Sequence, residues 1–194
     1  LKQDNACNDA NHVHAVDLGL SVKWACCNVG ATKPEEYGGY YAWGETRTKS
    51  TYTQENCQTY NKTIGDIAGN PNYDAARANW GSSWRLPTEA EFQELIDNCT
   101  IEYITAENGV NGVRLTSNIE GYTDKSIFLP CGGYKQETET ANDKAYADYW
   151  TSECKTSLLA QALAYTARFS MLGKTEIASQ DKIYGRNVRA VKAK

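Results

Sequence analysis

Two histidines, seven cysteines and 24 acidic residues are the groups from which this 194-residue chain would have to assemble reaction chemistry. His12 and His14, one residue apart, fall on one face of an extended segment, a spacing that a metal ion can use. No third histidine and no H-E-x-x-H motif joins them. A Ser-His-Asp or Cys-His triad would have to recruit one of the same two residues, and no G-x-S-x-G elbow is present. Glu35/Glu36 and Glu89/Glu91 are close carboxylate pairs of the kind that sugar hydrolysis needs in space. Both sit at helix starts, where acidic residues favour the positive end of the helix dipole, and that explains them better. Gly132-Gly133 has no phosphate-loop pattern around it and reads as a strand bend. The expectation is a protein without catalytic residues, metal or cofactor.

The cysteines lie at 7, 26, 27, 57, 99, 131 and 154, an odd number with no C-x-x-C pair. That spacing fits neither a zinc ribbon nor a thioredoxin-type site. Two readings stay open: up to three disulfides and a spare thiol in an exported protein, or seven reduced, mostly buried thiols in a cytosolic one. Cys57 is placed to staple a long polar stretch over 46–72. Aromatic groups on a polar surface are the more informative feature, because Tyr and Trp give large, rigid, amphipathic contact area at low entropic cost. Tyr52, Tyr60, Tyr165 and Tyr184 are the candidates.

The elements that must position these groups read as one domain over 12–194 behind a polar tail at 1–11. A hydrophobic content of 41% with five Trp and thirteen Tyr is enough for a real core. A net charge of −4 without a basic run argues against nucleic acid as a partner. No stretch approaches the roughly 20 apolar residues of a membrane helix. Residues 12–20 and 22–29 read as two short strands, and Thr32-Lys-Pro-Glu-Glu as a helix start stopped by Gly38-Gly39. Asp74 to Trp80 is a short capped helix ended by Gly81. Thr88-Glu-Ala-Glu is a capping box, and Phe92, Leu95, Ile96 and Cys99 form one buried stripe at i, i+3, i+4, i+7. Short strands follow over 113–117, 126–130, 147–152, 162–171 and 187–191, with a helical alternative for 157–164. The class expected is α+β, helices gathered in the first half and an antiparallel sheet completed by the second.

Trp80-Gly-Ser-Ser-Trp-Arg-Leu-Pro-Thr-Glu-Ala-Glu-Phe resembles the R-L-P-T-E-A-E-W signature of the formylglycine-generating-enzyme superfamily. Val16-Asp-Leu-Gly-Leu-Ser-Val-Lys-Trp-Ala, Asn28-Val-Gly-Ala-Thr-Lys-Pro-Glu-Glu-Tyr-Gly with Tyr41-Ala-Trp-Gly-Glu, and Ile127-Phe-Leu-Pro with Gly133-Tyr134 are similar to the Fibrobacter major paralogous domain of Bacteroides-type surface proteins. Tyr149-Trp-Thr-Ser and Gly185-Arg-Asn-Val-Arg-Ala-Val fit the same family and the variable proteins of diversity-generating retroelements. The resemblance spans about residues 13–191.

It implies a C-type lectin-like fold, two main helices packed on small twisted antiparallel sheets. It also implies export to the cell surface, often as a lipoprotein, and a non-catalytic, adhesion-type role towards an extracellular protein or glycan, with further domains of a larger surface protein as possible neighbours. The given chain shows no export signal, which decides nothing about what precedes Leu1. The resemblance pairs Cys27 with Cys99 in a disulfide and leaves Cys7, Cys26, Cys57, Cys131 and Cys154 unassigned, with a second bridge among Cys26, Cys131 and Cys154 left open. It places ligand contacts on late strands and loops: Tyr165, Arg168 and Ser170, extended by Lys174, Glu176, Gln180, Lys182, Tyr184 and Arg186. Trp150 and Arg189 are scaffold in this reading. The enzyme branch uses a cysteine pair near the C-terminus, and no cysteine follows Cys154; the other oxidase branch needs His-x-x-x-His-x-Glu, also missing. Neither Glu-Pro-Asn nor Trp-Asn-Asp, which supply calcium and sugar ligands in true C-type lectins, is present. A formylglycine-generating-type oxidase and a structural subunit of a surface assembly are the alternatives.

Overall fold

The computed structural model describes residues 15–157 and 161–194. The tail, Cys7, His12 and His14 lie outside them, as does the middle of the helical alternative at 157–164. The strands are β1 (Ala15–Val16), β2 (Lys23–Ala25), β3 (Cys99–Glu107), β4 (Val110–Ser117), β5 (Ser126–Pro130), β6 (Tyr134–Gln136), β7 (Glu139–Ala141), β8 (Tyr146–Cys154), β9 (Leu163–Ser170), β10 (Thr175–Asp181) and β11 (Val191–Lys192). The helices are α1 (Ala75–Trp80) and α2 (Glu89–Asn98). All strand pairs are antiparallel, in sheets ordered β1-β2-β11, β3-β4-β5, β10-β9-β8 and β6-β7.

This corrects the expected α+β class and its plan of two main helices on small sheets: the described chain is mainly β, and α1 has only six residues. The helix start expected at Thr32 is a turn. There the Glu36 carboxylate accepts hydrogen bonds from the Thr32 amide at 2.7 Å and its hydroxyl at 3.1 Å, a local closure that competes with helix propagation. Of the strand expected over 12–20, the described part from residue 15 on holds β1; that over 22–29 shortens to β2, and that over 187–191 to β11. Strands β3, β6, β7 and β10 were not expected. β3 begins at Cys99, the last residue of the helical stripe, so the chain passes from helix to strand without a breaker residue.

The caps follow the sequence. Asp74 Oδ1 accepts from the amides of Ala76 and Arg77 at 2.9 and 3.0 Å, while Oδ2 accepts from those of Gly69 and Leu86 at 2.7 and 2.8 Å. One buried carboxylate thus caps α1 and ties both flanking loops to it. Gly81 ends α1 with φ 90°, where a side chain would be strained. In α2 the Thr88–Glu91 capping box forms in both directions. Glu91 also holds Arg85 through two oxygens, at 2.8 and 2.5 Å.

The main core lies where α2 meets two sheets. Phe92 and Leu95 face Val113 and Leu115 of β4, Ile127 and Leu129 of β5, Ala147 and Tyr149 of β8, and Ala167 and Phe169 of β9. Cross-strand register sets these in rows, Val113 opposite Leu129 and Tyr149 opposite Ala167. A second core gathers Trp43, Trp84, Leu86, Trp150, Val188 and Ala190. The long polar stretch 46–72 is pinned. Tyr52 pairs with Glu137, the Ile67 amide donates to Ser152 O at 2.9 Å, and Tyr52, Cys57, Thr59 and Ile67 are buried.

The Cys27–Cys99 disulfide is absent: both are free, as are Cys57, Cys131 and Cys154. Cys99 is part of the main core, whereas Cys27 Sγ approaches Ala31 O at 3.4 Å. Cys26 is disulfide-bonded, to none of these five. Burial pushes the Cys99 thiol up to about 11 and that of Cys131 to about 12, so neither is an effective nucleophile near neutrality. Alkylating the unreduced native protein is expected to leave Cys27, Cys99 and Cys131 unmodified, and alkylation in denaturant without reductant is expected to label all three. Peptide mass spectrometry reads both, and a Cys27–Cys99 cross-linked peptide would contradict the structure.

Burial alone would raise the Glu91 carboxyl, but the Arg85 guanidinium and the Thr88 amide outweigh it and hold it below its ordinary value. A lowered folded-state value stabilises the fold above the unfolded carboxyl's titration and is lost as pH falls through the folded one. Wild type is therefore expected to exceed Glu91→Gln in urea midpoint at neutral pH, and the gap is expected to close below about pH 4.

Candidate functional site

β8 and β9 carry alternate residues into the core, so their intervening residues share the opposite face. Tyr146 stands opposite Ser170, Asp148 opposite Arg168, and Trp150 opposite Thr166. β10 adds Glu176 opposite Arg168 and Gln180 opposite Ala164. The segment after β10 brings Tyr184 and Arg186 back against this face, held because Arg186 pairs with Tyr41 and Gly185 with Lys135 of β6. Gly185 is required there: a Cβ would lie 2.6 Å from the Tyr52 ring.

Asp148 is the centre of the face. Its Oδ2 accepts from Arg168 Nη2 and from Arg186 Nε, each at 3.0 Å, and Asp148 and Arg186 are fully buried. Arg186 Nη2 also donates to Gln180 Oε1 at 3.2 Å. The Arg186 guanidinium lies 4.7 Å from the Trp150 ring centroid, 5.0 Å from that of Tyr134 and 5.4 Å from that of Tyr184. Tyr134 and Tyr184 pack against each other at 5.1 Å. Arg168 lies 5.2 Å from the Tyr146 centroid. Desolvated cation–π contacts of this kind are each worth up to about 2 kcal/mol. The result is a set of three half-buried tyrosine rings, Tyr134, Tyr146 and Tyr184, fixed from beneath by two guanidiniums on one carboxylate. Asp148 Oδ1, Arg168 Nε and Arg186 Nη1 are buried and have no hydrogen-bond partner among the described residues.

Of the residues expected to contact a ligand, the structure brings Arg168, Tyr184 and Arg186 together. Arg186 belongs beneath the surface, since it is 0% exposed, and Ser170 is buried too. Lys182 is also 0% exposed: its ammonium donates to Lys62 O at 2.7 Å and lies 4.6 Å over the Trp43 ring. Burial lowers the Lys182 ammonium from its ordinary value. Lys174 is exposed and paired with Glu176 at 2.7 Å near the β9–β10 turn, beside the exposed Leu172. Tyr165 has the strand parity of Ala167 and Phe169, so it leaves the Arg168 face; Lys155 lies 4.5 Å over its ring. Of the other surface aromatics expected, Tyr52 is buried and Tyr60 packs against it in a small third cluster.

Sequence reasoning missed Asp148, Tyr134 and Tyr146. The alternation around Asp148 was visible, since an acidic residue between Ala147 and Tyr149 in a strand demands a partner. Tyr134 stood only as a motif residue, because its place in this face depends on β6 lying beside residue 185.

The tryptophans and the 187–189 segment singled out in the sequence build the support. Trp43 Nε1 donates to Thr151 O at 3.0 Å, Trp150 Nε1 to Tyr41 O at 2.7 Å, and Asn187 Nδ2 to Tyr37 O and Gly39 O at 2.8 and 3.1 Å. Arg189 donates to Asn28 Oδ1, Ala25 O and Phe128 O at 2.9, 2.9 and 2.7 Å. Comparison with protein-family models, with curated proteins and with solved structures gives no match.

Removing Asp148 leaves two guanidiniums without their shared carboxylate. Asp148→Ala is expected to destabilise the fold by about 3–5 kcal/mol in urea unfolding, with Asp148→Asn less affected. A change below about 1 kcal/mol would mean that the ion pairs do not hold this face together.

Proposed function

We propose that this chain is a non-catalytic, adhesion-type domain of a cell-surface or secreted protein, and that the Tyr134/Tyr146/Tyr184/Arg168 face recognises an extracellular protein or glycan. The carrying observation is the cluster itself. Three rigid rings are positioned by buried charges, and unmatched hydrogen-bonding atoms lie beneath them. Amphipathic rings held in advance lose little entropy on binding, and a guanidinium among them adds directional donors. Membership of the paralogous surface-domain family belongs to the same reading, supported by its quoted motifs and by their convergence on the scaffold below this face. Export and surface location rest on that resemblance.

The test is a glycan array and an extracellular-protein screen with wild type, Arg168→Ala, Tyr184→Ala and Tyr165→Ala. A ligand of this face is expected to weaken at least about tenfold with either of the first two variants and to be unchanged with the third. A ligand bound equally by all four proteins would remove the face from the site.

A further inference from the structure

β6 has two sides, and only one belongs to the face described above. Tyr134 turns towards Arg186, whereas Lys135, next in the strand, turns the other way and places its ammonium 5.4 Å from the Tyr40 ring centroid. There it lines a cleft of about 490 Å³ with Tyr40, Thr48, Lys49, Tyr52 and a glycine wall at Gly38-Gly39. That volume lies in the range of small-molecule sites.

The charge of this cleft runs against that of the molecule. The chain carries a net charge of −4, yet the lining holds two lysines and no acidic residue. The lysines are not equivalent. Lys49 is committed: Glu45 lies 2.9 Å from its ammonium, and Asn56 O accepts from it at 3.1 Å. Glu45 itself is buried and also accepts from the Gln58 amide at 2.8 Å. Lys135 has no carboxylate within 4.0 Å among the described residues, although the exposed Glu137 lies two residues along. One uncommitted positive charge therefore faces the cleft.

The walls are rigid. The Tyr52 hydroxyl donates to Tyr40 O at 2.6 Å, and the Tyr40 hydroxyl donates to Gly132 O at 2.7 Å. Burial drives the Tyr40 phenol upward, so that donor stays protonated. Backbone pairs Lys135–Gly185 and Tyr52–Glu137 fix β6 against both neighbours. An ammonium on such walls is oriented before a ligand arrives, which lowers the ordering cost of binding.

We propose that this cleft is a second, independent binding site for a small organic monocarboxylate, its carboxylate on the Lys135 ammonium and its body against Tyr40, Thr48 and the glycine wall. A single uncommitted cation matches a monoanion, and the volume beyond Lys135 accommodates a ring-sized body.

Amide chemical shifts of the whole protein are to be followed on titration with D-glucuronate, D-glucose, acetate and glucose 1-phosphate. D-Glucuronate is expected to give saturable shifts at Gly38, Gly39, Thr48, Lys49 and Lys135. Acetate is expected to shift the same amides more weakly, and D-glucose is expected to shift none. Lys135→Met is expected to weaken glucuronate by about tenfold or more and Lys135→Arg to retain it, each with an unchanged folded spectrum. Arg168→Ala is expected to leave the titration unaltered, which separates this site from the tyrosine face. Non-saturable shifts, equal binding of glucose, tighter binding of glucose 1-phosphate, or an undiminished response in folded Lys135→Met would overturn the proposal.

Discussion

A buried guanidinium held by neutral oxygens is the constraint on which the rest of this molecule depends. Arg189 is fully enclosed and donates to Asn28 Oδ1 and to the carbonyls of Ala25 and Phe128, three oxygens from parts of the chain 61 to 164 residues away. Burial pulls its value below that of a free arginine, and only the oxygens around it make the charged form tolerable. The same pocket holds the Tyr149 hydroxyl, pushed up to about 12 by burial, which donates to Pro130 O and accepts from Asn28 Nδ2. β2, β5 and β8 meet at this point. Every donor needs its acceptor in place, so the three sheets are coupled through it rather than merely stacked.

Two shells of organisation follow. The apolar shell, built around α2 and Trp24, is held by contacts of ordinary kind, such as the Trp24–Phe92 pair at 4.9 Å. The polar shell runs along residues 185–189 and joins Arg186, Asn187 and Arg189 to three separate regions. It is this second shell that decides which surface is rigid. Tyr134 and Tyr184 lie on Arg186, and Arg186 is fixed by Asp148, so the tyrosine face inherits its order from the buried charges below. β6 carries that order across to the lysine cleft on its other side.

Elements with a local period were legible. The capping box at Thr88–Glu91 and the stripe of Phe92, Leu95, Ile96 and Cys99 lead directly to α2, because both signals are confined to a dozen residues and both recur in the structure. β5 and β9 were legible for the same reason. The turn at Thr32 was not, because a proline and two glutamates also suit a helix start, and only the Glu36 closure separates the two outcomes. The balance of classes failed with it: short strands such as β6 and β7 exist only where their partners run alongside, and no period announces them.

The sequence by itself determined the caps, the alternation of the longer strands, the scale of the aromatic core and the charge that the surface carries. Tertiary structure alone decided which charges are inside. Lys182 and Arg186 have the residue types and the spacing of surface groups, yet both are enclosed, because Trp43, Asp148, Trp150 and Gln180 converge on them from distant positions. It also decided the fate of the thiols. Cys27 and Cys99 lie in different surroundings and remain unpaired, since a disulfide requires two side chains to meet in space, and spacing along a chain carries no such information.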